Sequence, residues 1–337
     1  MKRIFSLVLI FALCLPLTAC GLKTKYTKTV MNCFDTVTTI VGYAMNEKTF
    51  LTVADEIEAE LWEYHALFSI YDDADVNNLK LLNEKRSIKA SKKLMDFLEY
   101  GISMYEKTQG RMNIAMGAVL SLWHEARTAG INDPVNAALP DMAALFEASK
   151  HCDITSISID RESGIVSLTD EKTLLDVGAI GKGYAVEMIA QNLEARGISG
   201  YLINAGGNVR TVGSRGDGEK WSIGVENPDG DEFLATLSLS GEALITSGSY
   251  MRYYFVNGKK YHHIISPDTL MPSDGIVSLT VLSKSSAEGD ALSTALFTLS
   301  YEDGVKLLEN FPEVEALWLL SDGRKLMTDG FEAFISS

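Results

Sequence analysis

Cysteine, histidine, proline and positive charge are all scarce in this chain, and each shortage excludes something. Four cysteines and five histidines among 337 residues form no cluster at zinc-site spacing. With only seven prolines and no Pro/Ser-rich interior run, nothing divides the chain into linked modules. There is also no internal repeat and no low-complexity tract. Lys and Arg number 30 against 45 Asp and Glu, for a formal net charge of −15. A surface this acidic repels phosphate backbones, so nucleic acid is not an expected partner. Long apolar runs are missing everywhere except at the N-terminus.

That N-terminus reads as an export signal. Lys2 and Arg3 precede an apolar core, Ile4 to Leu15, too short to cross a bilayer with ease. Leu17-Thr18-Ala19-Cys20 has the form of a bacterial lipobox: an aliphatic residue, two small ones, then cysteine. Residues 1–19 are expected to be a signal peptide and 20–30 a lipidated tether. Residues 31–337 are expected to form one compact catalytic unit. Lipid on the Cys20 sulfur would hold the protein to the extracytoplasmic side of the cell membrane. A plain cleaved signal or an anchoring helix are the alternatives. Cys14 departs with the signal, and the residues leave open whether Cys33 and Cys152 pair.

The coarse pattern is helices among antiparallel strand pairs. Glu47 to Phe68 and Ser91 to Thr108 carry apolar residues at helical spacing, and Asp141 is placed to cap a third helix running to Lys150. Ile154 to Ile159 and Ile165 to Leu168 read as a hairpin, and Asn257-Gly258 is a strong turn signal between Tyr250 to Val256 and Lys260 to Ile265. Helices are expected again over Tyr184 to Arg196, Asp290 to Leu299 and Tyr301 to Asn310. Many antiparallel pairs with helices between them predict an α+β fold, not a doubly wound parallel sheet.

The most informative stretch is Asp176-Val-Gly-Ala-Ile-Gly-Lys-Gly-Tyr-Ala185, after an apolar run, Thr173 to Val177, that reads as a strand. Its glycines let backbone amides approach a ligand, a helix N-terminus follows, and Lys182 adds a full charge. The set suits an oxidised phosphorus group. It is neither a Walker A loop nor a dinucleotide fingerprint, and a plain glycine-rich turn with a solvated lysine is the alternative.

Other candidates are individually ambiguous. Asp290 and Thr294 are four apart, which puts a carboxylate and a hydroxyl on one helix face. They are hard oxygen donors of the kind Mg²⁺ prefers, or a helix cap and a buried helix residue. His262 and His263 are adjacent in a strand and so face opposite sides. One of them is a candidate general base, or both are structural. Tyr71 ends Phe68-Ser69-Ile70-Tyr71 and is suited to stacking on a planar ring or to core packing. Asn204-Ala205-Gly206-Gly207-Asn208 reads as a tight turn after a strand.

Their order is more telling than any one of them. LFSIY, MNIAMGAVLSLWH, DVGAIGKGYA, INAGGN, TSGSYMRYY, HHIISP and EGDALSTAL follow in sequence. The chain thereby resembles the FAD:protein FMN transferase family, often called ApbE-like, from about Cys33 to Leu299. The resemblance implies FAD as substrate, Mg²⁺ as cofactor and an extracytoplasmic acceptor flavoprotein, such as a subunit of an ion-pumping redox complex. It implies FAD contacts at Phe34, Tyr71, Arg111, Met112, Asn113, Asp176, Lys182 and Ile264. It implies Mg²⁺ ligands at the Ala179 carbonyl, Asp290 and Thr294, and a functional histidine at His263. Phe34 replaces a family methionine, Asn113 the usual aspartate, Ser266 an aspartate and Leu270 a glycine. The implied reaction is attack by a Ser or Thr hydroxyl on the FMN-side phosphorus of FAD, with loss of AMP. A Mg²⁺-dependent FAD pyrophosphatase, with water as the nucleophile, would use the same residues. A flavin-binding lipoprotein is the reading from another class. A lipid-anchored solute-binding protein would need two similar βαβ lobes, which the sequence does not offer.

Overall fold

The computed structural model describes residues 23–336 apart from 74 and 231. The expected signal peptide and Cys20 lie outside these residues. The strands are β1 (Thr24–Cys33), β2 (Thr36–Ala44), β3 (Ser87–Lys89), β4 (Ile157–Asp160), β5 (Ile165–Leu168), β6 (Tyr201–Ala205), β7 (Asn208–Val212), β8 (Trp221–Val225), β9 (Ala235–Leu239), β10 (Ala243–Gly248), β11 (Tyr253–Val256), β12 (Lys259–His262), β13 (Ile276–Ser283), β14 (Glu315–Leu320) and β15 (Lys325–Met327). The helices are α1 (Glu47–Phe68), α2 (Leu79–Lys85), α3 (Lys92–Lys107), α4 (Gly117–Asn132), α5 (Met142–Ser149), α6 (Gly181–Ala195), α7 (Ser286–Phe297) and α8 (Tyr301–Leu308).

An eight-stranded sheet in the order β1-β2-β6-β7-β10-β13-β14-β15 organises the molecule, with every neighbour pair antiparallel. The expected α+β architecture is therefore what forms. Strand periodicity divides side chains between two cores. Leu279, Val281, Ala316 and Trp318 join the main core under α1, α6 and α7, while Leu282 and Leu317 join a second one with Leu237 and Leu239 of β9. A third cluster, holding Val119 and Trp123 of α4 with Tyr254 and Val256 of β11, seats the β11–β12 hairpin on α4.

Local chemistry sets most boundaries. The Asn46 side chain caps α1 by accepting the Thr49 N–H at 2.9 Å, and Phe50, Ala54, Ile57, Leu61 and Tyr64 form its buried stripe. Asp141 caps α5 as its position predicts. Asn257 and Gly258 both take positive φ in the β11–β12 turn, the backbone a two-residue hairpin loop needs.

Four expectations are corrected. Residues 24–30 are not tether but part of β1, the edge strand of the main sheet. Thr173 to Val177 is not a strand and contributes one bridge, Leu174 to Met116. Ile154–Ser156 is a 3₁₀ turn, so β4 starts only at Ile157. The helix expected from Asp290 begins four residues earlier, where Ser285 accepts the Glu288 N–H. Asp290 therefore sits inside α7 rather than capping it. Cys33 and Cys152 are free thiols, Cys33 fully buried.

Candidate active site

The loop from Leu174 to Ile180 is drawn across the start of α4. The Gly117 N–H donates to the Leu174 carbonyl at 2.9 Å, and the Asp176 N–H to the Ile114 carbonyl at 2.9 Å. Gly117 is required there, because a Cβ would stand 2.5 Å from the Leu174 oxygen. Asp176 accepts the Gly178 N–H at 2.9 Å. Burial pushes its carboxyl up, opposed by that N–H and by His124, Arg252 and Arg127 around it.

After the loop, α6 enters against α7. Burial likewise raises the Asp290 carboxyl, with Lys182, the Gly183 N–H and Asn208 pulling the other way. The Lys182 ammonium stands 3.7 Å from Asp290 Oδ1. The Gly183 N–H donates to Asp290 Oδ2 at 2.7 Å. A Cβ on residue 183 would lie 2.3 Å from Asp290 Cβ, so only glycine permits this approach. The first backbone bond of α6 runs from the Tyr184 N–H to the Ile180 carbonyl. The N–H of Gly183, which would otherwise reach back to Ala179, is taken by Asp290. The Ala179 carbonyl is thereby left without that helical N–H, and half-buried Thr294 lies one turn beyond Asp290 along α7.

Those donors suit Mg²⁺. Among the described residues no group of three or more His, Cys, Asp or Glu could hold a metal, which excludes an all-side-chain cage. A carboxylate, a carbonyl and a hydroxyl are the oxygen donors Mg²⁺ takes, and such a set would leave positions for phosphate oxygens.

Tyr71 lies in the loop after α1, not in the core, with 55% of its surface exposed. With Asp176, His124 and Ser121 it lines a cavity of about 260 Å³. Burial and then Asp176 push its hydroxyl up. Phe34 joins β1 to β2 with Asp35, both at positive φ, 54° and 53°. That is a strained backbone for a bulky residue. Its N–H donates to His65 Nδ1 at 3.1 Å.

Only His262 lies in a strand, at the end of β12, and His263 follows it, so strand alternation does not set their directions; their surroundings differ. His262 is tied to the Ser273 carbonyl at 2.6 Å and is structural. His263 Nδ1 is buried without a hydrogen-bond partner. Burial, Arg252, His262 and Arg127 push His263 down to about 3. It is therefore neutral at physiological pH, and the same burial makes it a weak base.

Asp176 and Tyr71 line one cavity, and Lys182 faces Asp290 at the α6–α7 crossing, with Ala179 two residues before α6 and Thr294 one turn beyond Asp290 on α7. The other implied FAD contacts are committed within the protein. Arg111 is ion-paired with Asp268. Met112 and Ile264 are buried. Asn113 donates to the Cys152 carbonyl at 2.8 Å and accepts the Ala115 N–H at 2.8 Å. Sequence reasoning missed His124, Arg127 and Arg252. His124 ends the MNIAMGAVLSLWH run, but α4 has no capping side chain at its start, so no start signal announced the helix.

The ApbE family model matches residues 31–318. The FAD:protein FMN transferase of Treponema pallidum is 32% identical over 269 residues, 75% of this chain and 72% of that protein. The one from Haemophilus influenzae is 28% identical over 325 residues, 92% and 91% of the two chains. Among solved structures, the ApbE protein of Thermotoga maritima superposes with a TM-score of 0.82 at 27% identity, covering 93% of this chain and 100% of that one.

Proposed function

The chain belongs to the ApbE family, and from that premise we propose that it is a Mg²⁺-dependent enzyme moving the FMN part of FAD onto a protein hydroxyl. A Ser or Thr oxygen of the acceptor attacks the FMN-side phosphorus. The bond to the bridging oxygen breaks, AMP leaves with that electron pair, and the hydroxyl proton passes to a base. The acceptor keeps FMN in phosphoester linkage.

The residues divide this work. Tyr71 and the cavity beside it hold a planar ring. Lys182 faces the phosphate charge. His263 is the candidate base by its place in the motif order; because burial and Arg252 hold it down at about 3, it would gain the basicity this role needs only when phosphate charge enters beside it. Asp290, the Ala179 carbonyl and Thr294 would hold Mg²⁺, which when bound neutralises charge on the pyrophosphate oxygens. The observation that carries the reading is the diversion of the Gly183 N–H to Asp290. It leaves the Ala179 carbonyl without its helical N–H while a buried carboxylate faces Lys182 at 3.7 Å, an arrangement with little purpose in passive flavin storage.

Lipid attachment at Cys20 and an extracytoplasmic, membrane-held location are part of the same proposal, supported by the lipobox. Cys20→Ser should release the protein from the membrane fraction or leave the signal uncleaved. Equal membrane retention of a correctly cleaved variant would remove the anchor. The acceptors are extracytoplasmic flavoproteins, ion-pumping redox subunits among them.

The deciding experiment incubates the mature protein with FAD, Mg²⁺ and a candidate acceptor, following acceptor mass and AMP. The expected result is an acceptor heavier by one FMN, with AMP released faster when acceptor is present. Rapid FAD hydrolysis without acceptor, and no flavin on any acceptor offered, would make the chain a pyrophosphatase.

A further inference from the structure

Two hydrogen-bonded rungs join α6 to α7. In one, Gly183 donates its N–H to Asp290 at 2.7 Å. In the other, the Ser286 N–H donates to Glu187 Oε2 at 2.6 Å. Glu187 lies one turn beyond Gly183 on α6, and Ser286 one turn before Asp290 on α7, so the rungs share one antiparallel register.

Glu187 is only 3% exposed. Arg210 of β7 donates its Nε to Oε2 at 3.1 Å, and Gln191 donates to Oε1 at 2.9 Å. Stability alone does not call for such a pair, since apolar replacements of a buried ion pair are often neutral or stabilising. An apolar pair cannot, however, accept one of the orphan N–H groups that begin a helix. Ser286 is the first residue of α7. Its bond to Glu187 ties the start of α7 to α6, one turn from where Asp290 meets Gly183.

We propose that Glu187 is a positioning residue: by holding the Ser286 N–H it fixes the register of α7 on α6 and so places the Asp290 carboxylate. It touches no substrate. The consequence for Mg²⁺ rests on the reading that Asp290 binds the metal, whereas the consequence for register does not.

Two double variants separate these roles. Glu187→Gln with Arg210→Met, and Glu187→Leu with Arg210→Met, both lack the buried cation and differ only in the acceptor at 187. Urea midpoints establish that each folds. The readouts are the Gly183 amide proton shift in glycine-labelled protein, and the Mg²⁺ concentration that half-maximally enhances FAD binding, followed by flavin fluorescence without acceptor. The Gln variant should keep the Gly183 shift and hold the Mg²⁺ midpoint within about threefold. The Leu variant should lose the shift and raise the midpoint by about 10–100-fold, the usual cost of removing an outer partner of a metal ligand. Its FAD affinity in EDTA should not change.

If the Leu variant does not fold, Glu187→Asp replaces it, since it draws the acceptor back by one methylene and carries the same expectation. An unchanged Gly183 shift in the variant lacking the acceptor overturns the proposal, as does equal loss in both double variants. A Gly183 shift that moves as expected, in a protein whose FAD binding ignores Mg²⁺, leaves the register role standing and removes the metal assignment.

Discussion

The ring of Tyr71 lies against that of His124, centroids 5.2 Å apart and 29° from parallel. The pair stands over the cavity that holds Asp176, so a flat ligand entering there meets a preformed aromatic wall. Tyr71→Ala should weaken FAD binding by roughly 1–3 kcal/mol, the range for losing an aromatic stack. His124→Ala should cost less, because it removes the support rather than the contact. Flavin fluorescence titration measures both, and unchanged affinity in both variants would take the ring out of this cavity.

Asp290→Ala should abolish Mg²⁺-dependent transfer while leaving the thermal transition cooperative. Near-normal transfer by this variant in Mg²⁺ would show that the metal is held elsewhere.

Lys182→Met retains the aliphatic stem and deletes the charge. FAD affinity or turnover should fall at least tenfold, because a charge-assisted hydrogen bond contributes about 1.5–3 kcal/mol. An unaltered rate would return the glycine loop to a structural role.

Gly183→Ala tests the helix crossing. The new methyl would lie 2.3 Å from Asp290 Cβ and 2.5 Å from the Ser286 carbonyl oxygen, and neither is the free end of a flexible side chain. Overpacking of this kind costs about 1–3 kcal/mol. A lowered urea midpoint together with lost transfer is expected. A wild-type midpoint would mean the helices part without strain.

His263 makes stability depend on pH in a defined direction. Its folded value, about 3, lies below the ordinary histidine value of about 6.5, so the unfolded chain binds the extra proton first. The contribution is complete above the unfolded value and is lost as pH falls from there toward the folded one. In FAD-free protein, the urea midpoint should therefore drop less between neutral and mildly acid pH in His263→Gln than in the wild type. Parallel curves would mean that His263 is solvated and not buried beside Arg252.

What could be read from the sequence follows from where the physics is local. The α1 stripe, the cap at Asp141 and the Asn257-Gly258 turn are decided by neighbours in the chain, and each formed where expected. The β1–β2 hairpin was invisible because its turn is Phe34-Asp35 at positive φ, where no glycine or asparagine marks it. Helix α4 was missed because its start is held by the Leu174 carbonyl, 57 positions away from Gly117, rather than by a cap. Within the site, Asp176, Lys182 and Asp290 were marked by residue type and order. Arg127, Arg252 and Glu187 were not, since their places depend on which helix and hairpin come together.

Strand β1 begins at Thr24, and that early start bears on how the enzyme would meet its acceptors. Lipid on Cys20 would leave only residues 21–23 between the anchor and the outermost strand of the sheet. Fully drawn out, four Cα steps span at most about 14 Å. On a leash that short, if the proposed anchor holds, the catalyst would not sample the space beyond the membrane surface. It would search in two dimensions, and the acceptors open to it would be those that carry their hydroxyl within a few nanometres of the same bilayer.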